Sequence, residues 1–469
     1  MKLRVLLATI VGTLAFAGTA TAHEIPGGFT FNLTGNWFDV DDQKMTDLTA
    51  AANQRRATGA AQTRPTRCKR GMAGEFPCDN VNLLSHMPLE EIGGGEAGND
   101  MWGWIDRRTK REYAIVGKTN GTAFVDITNA RNPRLIAHLP TQVEGTRRFW
   151  RDIKVYKDHA FVVSEHIGHG MQVFDLTRLR DIKRRDQPAT VAADTVYEGV
   201  SNTHNLDINV DSGFAYLLGT NTCGNGEENG GLHMVDINDP LNPTFAGCAI
   251  VADADGNQET ESNNYVHDSQ CVNYDGPDDA FAGREICFGS NENAVVIYDV
   301  TDKAAPVVLS QTTYPTAVYT HQGWLAKDSR FFVFNDEGDE DGFGDPPTVD
   351  RQTTYILPVS DLLSPGTVMA SPNNTTSTDH NLYIDEGVIY ESNYTSGLRL
   401  FDEDSVPSGD LEEIGYFDVY PENDNPGFEG GTWSNYAFYR DDDVVAVSTL
   451  DPGLFVLETD LGKRGRRPR

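Results

Sequence analysis

A two-residue step recurs seven times along the chain, at Asn99-Asp100, Arg151-Asp152, His204-Asn205, His267-Asp268, His321-Gln322, His380-Asn381 and Ser434-Asn435. Its second member is always Asp, Asn or Gln, its first is His in four copies, and the intervals run 52, 53, 63, 54, 59 and 54 residues. Each step opens an apolar run and is followed by the same landmarks. A second run, such as "HAFVVSE", "FAYLLGTN", "EICFGSNE" or "RFFVFNDE", ends in small polar or acidic residues. A third ends in Asp or its equivalent, as in "GTAFVD", "GMQVFD", "GLHMVD", "AVVIYD", "GLRLFD" and "GLFVLE"; the fifth copy has "TYILPV" instead. Asn-Pro or Pro turns then lead to a fourth run in "NPRLIAHLP", "NPTFAGCAI" and "APVVLSQTT". Runs rich in Val, Ile, Phe and Tyr, punctuated by Gly, Pro and Asn, read as antiparallel strands. Four-stranded units repeating at roughly 50 residues predict an all-β, seven-bladed β-propeller, because radial packing buries both faces of every blade.

The last copy stops after "GLFVLE" without a fourth strand, and the missing strand has a counterpart upstream of the first copy: "LLSHMP" (83–88) matches "LIAHLP" (135–140). Residues 81–88 are therefore expected to pair with the strand at 453–458, so that an N-terminal strand completes the last blade and closes the ring. Closure of this kind removes exposed sheet edges. The expected organisation is a propeller over 67–460, preceded by a partly helical or loosely ordered lead-in at 23–66 and followed by a basic tail at 461–469.

Residues 1–22, "MKLRVLLATIVGTLAFAGTATA", have the charged start, apolar middle and small-residue end of a secretory signal peptide. No later segment is apolar and long enough to span a bilayer. The mature protein is thus expected outside the cytoplasm, extracellular or periplasmic, as a monomer with disulfides. The six cysteines fall in three neighbouring groups, and pairing within each gives Cys68 with Cys78, Cys223 with Cys248, and Cys271 with Cys287. Four cysteines admit three connectivities, so the assignments of the second and third pairs stay open. The net charge of −32 argues against nucleic-acid binding, which draws on Lys and Arg clusters.

Beyond the repeat itself, the chain resembles the secreted LVIVD-repeat proteins of the choice-of-anchor B family. The resemblance rests on "CKRGMAGEFPCDNVNLLSHMPL", "RDIKVYKDHAFVVSE", "GHGMQVFDL", "GTNTC", "GLHMVDINDPLNPTFAGC", "YVHDSQCV", "EICFGSNE", "THQGW" and "DHNLYI", spread over about 65–460. It implies a bacterial exported β-propeller and no settled activity. Members are named for varied C-terminal anchors, whereas this chain ends in "LGKRGRRPR".

In a propeller the first strand of each blade lines the central channel, which predicts that His204, His267, His321 and His380 meet near one mouth. The second strands return to that face, bringing Glu165, Asn221, Glu292, Asp336, Glu337 and Asn393 with them. Imidazole with carboxylate suits a divalent transition metal, and His204, His267, His321, His380, Asp268, Glu292 and Glu337 are the candidate ligands. The competing reading is structural: each His fixes a turn through a polar residue of its own blade, as in WD-repeat propellers. A second candidate is "NDEGDEDGFGD" (335–345), whose Asp336, Asp339, Asp341 and Asp345 suggest a Ca²⁺ loop, with "DADGNQE" (253–259) a weaker case.

There is no G-x-S-x-G elbow, no H-E-x-x-H and no phosphate-cradling glycine loop. The "SEHIGHG" pair, His166 and His169, sits on a loop, and the tryptophans near strand starts read mostly as blade packing with one or two offered to a sugar-stacking rim. The reading reached is an extracellular binding or scaffold module with a protein or glycan ligand at the cell surface. Its rival is a metal-dependent hydrolase or lyase with Glu292 or Glu337 as general base.

Overall fold

Seven sheets form, one for each copy of the repeat. The computed structural model describes residues 64–143, 150–224, 230–251, 264–343, 346–428, 430–441 and 443–462. All of them belong to one compact unit, Lys44–Arg469. The expected signal peptide, nearly all of the lead-in, "DADGNQE" and all but the first two residues of the basic tail lie outside the described residues.

The innermost strands, blade by blade, are Gly98–Ile105, Ile153–Tyr156, Asn205–Asn209, Asp268–Asn273, Thr320–Leu325, Leu382–Asp385 and Thr432–Tyr436. Each packs against the next, and the seventh returns to the first, so the ring is closed around a channel. The middle strands explain why the sequence repeats apolar runs rather than alternating ones: in Glu112–Lys118 and Gly121–Asp126 every residue is buried. Both faces of a blade are interior, so no position faces water. The core is accordingly a circle of layers between adjacent blades. Ile115 and Phe124 of blade 1 meet Ile153 and Phe174 of blade 2 in one such layer, and Ile297 of blade 4 meets Phe332 and Leu357 of blade 5 in another. Outer strands are more open, as in Val307–Thr312.

Inner strands of neighbouring blades share no backbone ladder, so their amide groups need side-chain partners. Here the recurring acid or amide acquires its role. Asp152 accepts from the Leu206 N–H at 2.8 Å, and Gln322 both accepts from Leu382 N–H at 2.9 Å and donates to its carbonyl at 3.0 Å. Asn205 donates to the His267 carbonyl at 3.2 Å, and Asn435 to the Asn381 carbonyl at 3.4 Å. Two residues further along their strands, Asp207 takes the Cys271 N–H at 2.6 Å and Gln270 takes the Leu325 N–H at 2.7 Å. Each bond runs to an adjacent blade.

The N-terminal strand Val81–Met87 pairs antiparallel with Leu454–Thr459, with Val81 opposite Thr459 and Met87 opposite Leu454. The last blade is completed as the match between the two short motifs requires. Two blades carry more than four strands, which the repeat does not foreshadow. The hairpin of Met72–Ala73 and Phe76–Asp79 adds to blade 6 through pairing with Glu413–Phe417. In blade 2, the connection to the outer strand Thr195–Tyr197 detours over blade 1, where Ala189–Thr190 pairs in parallel with Arg134–Pro140. The three disulfides are Cys68–Cys78, Cys223–Cys248 and Cys271–Cys287. The last joins residues directly opposite each other on adjacent strands, and Cys223–Cys248 ties a loop to the outer strand Thr244–Ala249 of its own sheet.

Candidate metal centre

The four histidines do come together. Each precedes or opens an inner strand, and their rings follow one another around the channel with centroids 4.3 Å apart from His204 to His267, from His267 to His321 and from His321 to His380. Trp433 continues the arc 4.4 Å beyond His380, and Trp150 stacks on Trp433 at 4.4 Å. Both tryptophans are buried, so neither offers a sugar-stacking rim.

The hydrogen bonds of these rings decide which nitrogen is available. A carbonyl oxygen only accepts, so the Nδ1 of His267, 2.9 Å from the His321 carbonyl, carries the proton. The same holds for His380, whose Nδ1 donates to the Trp433 carbonyl at 2.6 Å. At His321 the partner is the Asn335 side-chain oxygen at 3.3 Å. That amide is oriented by its own bonds, since its nitrogen donates to the His380 carbonyl and its oxygen accepts from Gln322 N–H. In all three neutral rings, therefore, Nε2 bears a lone pair and no proton. Burial holds the rings neutral: it pushes His380 down to about 3 and His267 and His321 well below the ordinary histidine value. His204 differs, because its Nδ1 lies 2.5 Å from the Glu165 carboxylate of blade 2.

Glu337 closes the arrangement. Its Oε1 lies 3.4 Å from His380 Nε2 and its Oε2 lies 3.7 Å from His321 Nε2. Ligand atoms of His267, His321 and Glu337 all fall within 4.8 Å of one another. The Tyr394 hydroxyl donates to Glu337 and fixes the carboxylate. Above the imidazoles, Tyr319, Phe343, Phe428 and Tyr394 form a chain of ring contacts, from Tyr319 against His267 at 5.2 Å to Tyr394 against His380 at 4.8 Å.

The other candidates separate. Asp268 turns away from the imidazoles, accepting from its neighbour's Ser269 N–H at 2.6 Å and lying among the charges around Lys154. Glu292 sits half-buried in a turn, its backbone bridging Thr320. His321 bonds within its own blade, through Asn335, whereas His267 and His380 bond to the next blade. His169 accepts from Arg151 at 3.0 Å through Nε2 and donates to the Gly170 carbonyl through Nδ1. Cys223, His233 and Cys248 lie together, but both cysteines are in a disulfide and His233 is bonded to Tyr197 and Thr222.

The acidic loop also divides. Asp336 is saturated by Tyr314 OH and by the amides of Val318, Tyr319 and Gly338. Asp341 receives Phe343 N–H at 2.9 Å, and Asp345 lies outside the described residues. Of the three that are described, Asp339 alone enters a cluster, with Glu340 and with Asp379 from the start of blade 6. Sequence reasoning passed over these two. The signal available was that Asp379 stands where the other histidine copies have Thr203, Val266 and Thr320.

Deeper in the channel Lys154 is bound to both oxygens of Asp152 at 2.8 Å, with Asp100 and Asp268 nearby. Toward the far end Trp102, Trp324, Tyr383 and Phe438 pack edge and face.

No family model matches the chain, and no curated protein matches it. Among solved structures, the crystal structure of the Cps50 (Swd1) β-propeller domain of Myceliophteria thermophila is similar, with 8% identity and a TM-score of 0.48, covering 77% of this chain and 97% of that one. A likeness this distant says nothing of ligand or activity. The fold is a seven-bladed β-propeller, its three disulfides fit an oxidising compartment, and no helix among the described residues is long and apolar enough to cross a membrane.

Proposed function

We propose that this chain is an exported β-propeller binding module of the choice-of-anchor B type whose channel mouth holds a divalent transition metal between His267, His321, His380 and Glu337. One observation carries the reading. The proton-free Nε2 atoms of His380 and His321 face the Glu337 carboxylate at 3.4 and 3.7 Å, so that acceptor faces acceptor in a buried site. Tyr394 donates to the Glu337 carboxylate, but the buried His380 Nε2 has no donor, which is costly, and a cation placed between the rings and the carboxylate resolves the conflict. A tetrahedral zinc with ligands at about 2.0–2.1 Å draws its donor atoms to about 3.4 Å from each other, close to the spacing present. The Nδ1–H bonds to carbonyl groups supply the outer support that metal-bound histidines require.

The metal fastens blades 4, 5 and 6 at the mouth and gives the protein or glycan partner a rigid face. The aromatic roof of Tyr319, Phe343, Tyr394 and Phe428 favours retention of an ion over turnover of a substrate, which supports a binding role over a hydrolase or lyase. Elemental analysis of protein secreted from its host tests the site. One equivalent of Zn, Mn or Fe is expected, lost in His321→Ala, and Co²⁺ substitution should give the visible bands of a low-coordinate nitrogen and oxygen site. Natively folded protein that takes up none of these metals overturns the proposal. A pull-down against cell-wall glycans and exported proteins then identifies the partner.

A further inference from the structure

A second cluster of donors lies across the seam between blades 5 and 6. Asp339 and Glu340 follow the strand Phe331–Asp336, and Asp379 precedes the strand Leu382–Asp385. Their carboxylate oxygens come within 4.8 Å of one another, and all three residues are buried, Asp339 and Asp379 at 0% exposure and Glu340 at 5%. Each spends little of its capacity on protein donors. Asp339 accepts from the Tyr355 hydroxyl at 2.5 Å through one oxygen, and Glu340 from the Thr353 N–H at 3.0 Å through one oxygen. The other oxygen of each meets no N–H or hydroxyl donor, the two carboxyls instead lying against one another, and neither oxygen of Asp379 has a donor of hydrogen-bonding geometry. Gln352 neighbours Asp379, yet its amide nitrogen is directed at Thr354 and Glu391, which leaves its own buried carbonyl oxygen unpartnered as well.

We infer that Asp339, Glu340 and Asp379 form a hard-cation site, calcium by its chemistry, which pins blade 5 to blade 6. The donors are all oxygen, which selects against the softer metals that imidazoles hold. Four carboxylate oxygens without a donor, joined by the Gln352 carbonyl, approach the six to eight oxygens that calcium takes, with water supplying the rest. Three buried carboxylates this close repel one another when ionised, a conflict that a divalent ion held between them removes. This site shares no ligand with the imidazole centre and does not depend on it.

Terbium reports on the site, because the Tyr355 hydroxyl lies against Asp339 and Tyr355 excitation can pass to a bound lanthanide. The full mature chain, stripped with EDTA, is titrated with Tb³⁺ and then with Ca²⁺ or Mg²⁺ as competitor. The expected result is one saturable, tyrosine-sensitised component displaced by Ca²⁺ at lower concentration than by Mg²⁺, and a Tm that rises with Ca²⁺. Asp379→Asn and Glu340→Gln, which keep side-chain shape, should each weaken that component at least tenfold while leaving the metal-free Tm equal or higher. His321→Ala should leave the terbium titration unchanged while abolishing transition-metal uptake, so the two centres fail independently. A wild-type Tm indifferent to Ca²⁺, or sensitised emission that survives Asp379→Asn unchanged, overturns the inference.

Discussion

Replacing Asp152 by Asn removes one charge from the middle of the channel and little else. The carboxylate holds the Lys154 ammonium with both oxygens at 2.8 Å and receives the Leu206 N–H at 2.8 Å. Asn retains an acceptor for Leu206, so the change isolates the ion pair. Both partners are buried, and breaking a buried pair costs about 3–5 kcal/mol because the remaining charge stays out of water. Asp152→Ala also orphans the Leu206 amide, adding about 1–3 kcal/mol. With about 2.1 cal/mol/K of unfolding entropy per residue over roughly 400 residues, 3–5 kcal/mol lowers Tm by about 4–6 °C. Lys154→Met should cost at least as much, since it leaves the buried Asp152 carboxylate without its cation and removes the ammonium that lies 4.8 Å from the Trp102 ring centre. The double variant Asp152→Asn with Lys154→Met should lose little more than either single variant, far less than their sum, giving a coupling of about 2–4 kcal/mol between contacting residues. Differential scanning calorimetry at pH 6 and one scan rate measures all four proteins. A shift below 1 °C for Asp152→Asn, or strictly additive single losses, refutes the reasoning.

Burial raises Asp207 to about 7, and Asp100 likewise, so the folded protein binds more protons than the unfolded chain between about pH 4 and 7. Stability from these groups is present below the unfolded pKa and falls as pH rises through the folded one. Relative to Asp207→Asn, which still accepts from Cys271, the wild-type urea midpoint should therefore fall from pH 5 to pH 8; a difference that stays flat or rises contradicts this. A chain beginning at Leu89 lacks the partner of Leu454–Thr459 and the hairpin on Glu413–Phe417, and two bare edges should make it elute as aggregates in size-exclusion chromatography. A monomer of unchanged Tm argues against the closure. Removing the Cys271–Cys287 bond with paired Ala substitutions opens a loop spanning 16 positions and should cost about 3 kcal/mol, visible as a Tm lower by about 4 °C.

The blades were readable because several inner strands open on a residue whose side chain must serve the neighbouring blade. Asp152 and Gln322 must reach the amide of the next blade, so an acid or amide recurs at fixed spacing even where His does not. The closing strand was readable through the likeness of "LLSHMP" to "LIAHLP", since both are outer strands facing the same environment. The extra strands at Met72–Ala73 and Ala189–Thr190 were not, because two residues carry no periodicity. The imidazole arc followed from strand equivalence alone. Which nitrogen each ring offers did not, because it depends on carbonyl groups contributed by the following blade. Asp379 and Glu340 escaped for the same reason: they sit 39 positions apart in sequence and meet only across a seam.

The strap that shuts the ring has a bearing on how such a chain is made. Asn82 bonds to Glu458 across 376 positions, so the strand Val81–Met87, made early, waits for the last strand before its sheet can form. Until then blade 7 has no outer wall, and the apolar strands that will face it stay open to solvent. Synthesis and maturation are thus separated in time, and a chain passed across a membrane unfolded would complete its architecture only on the far side.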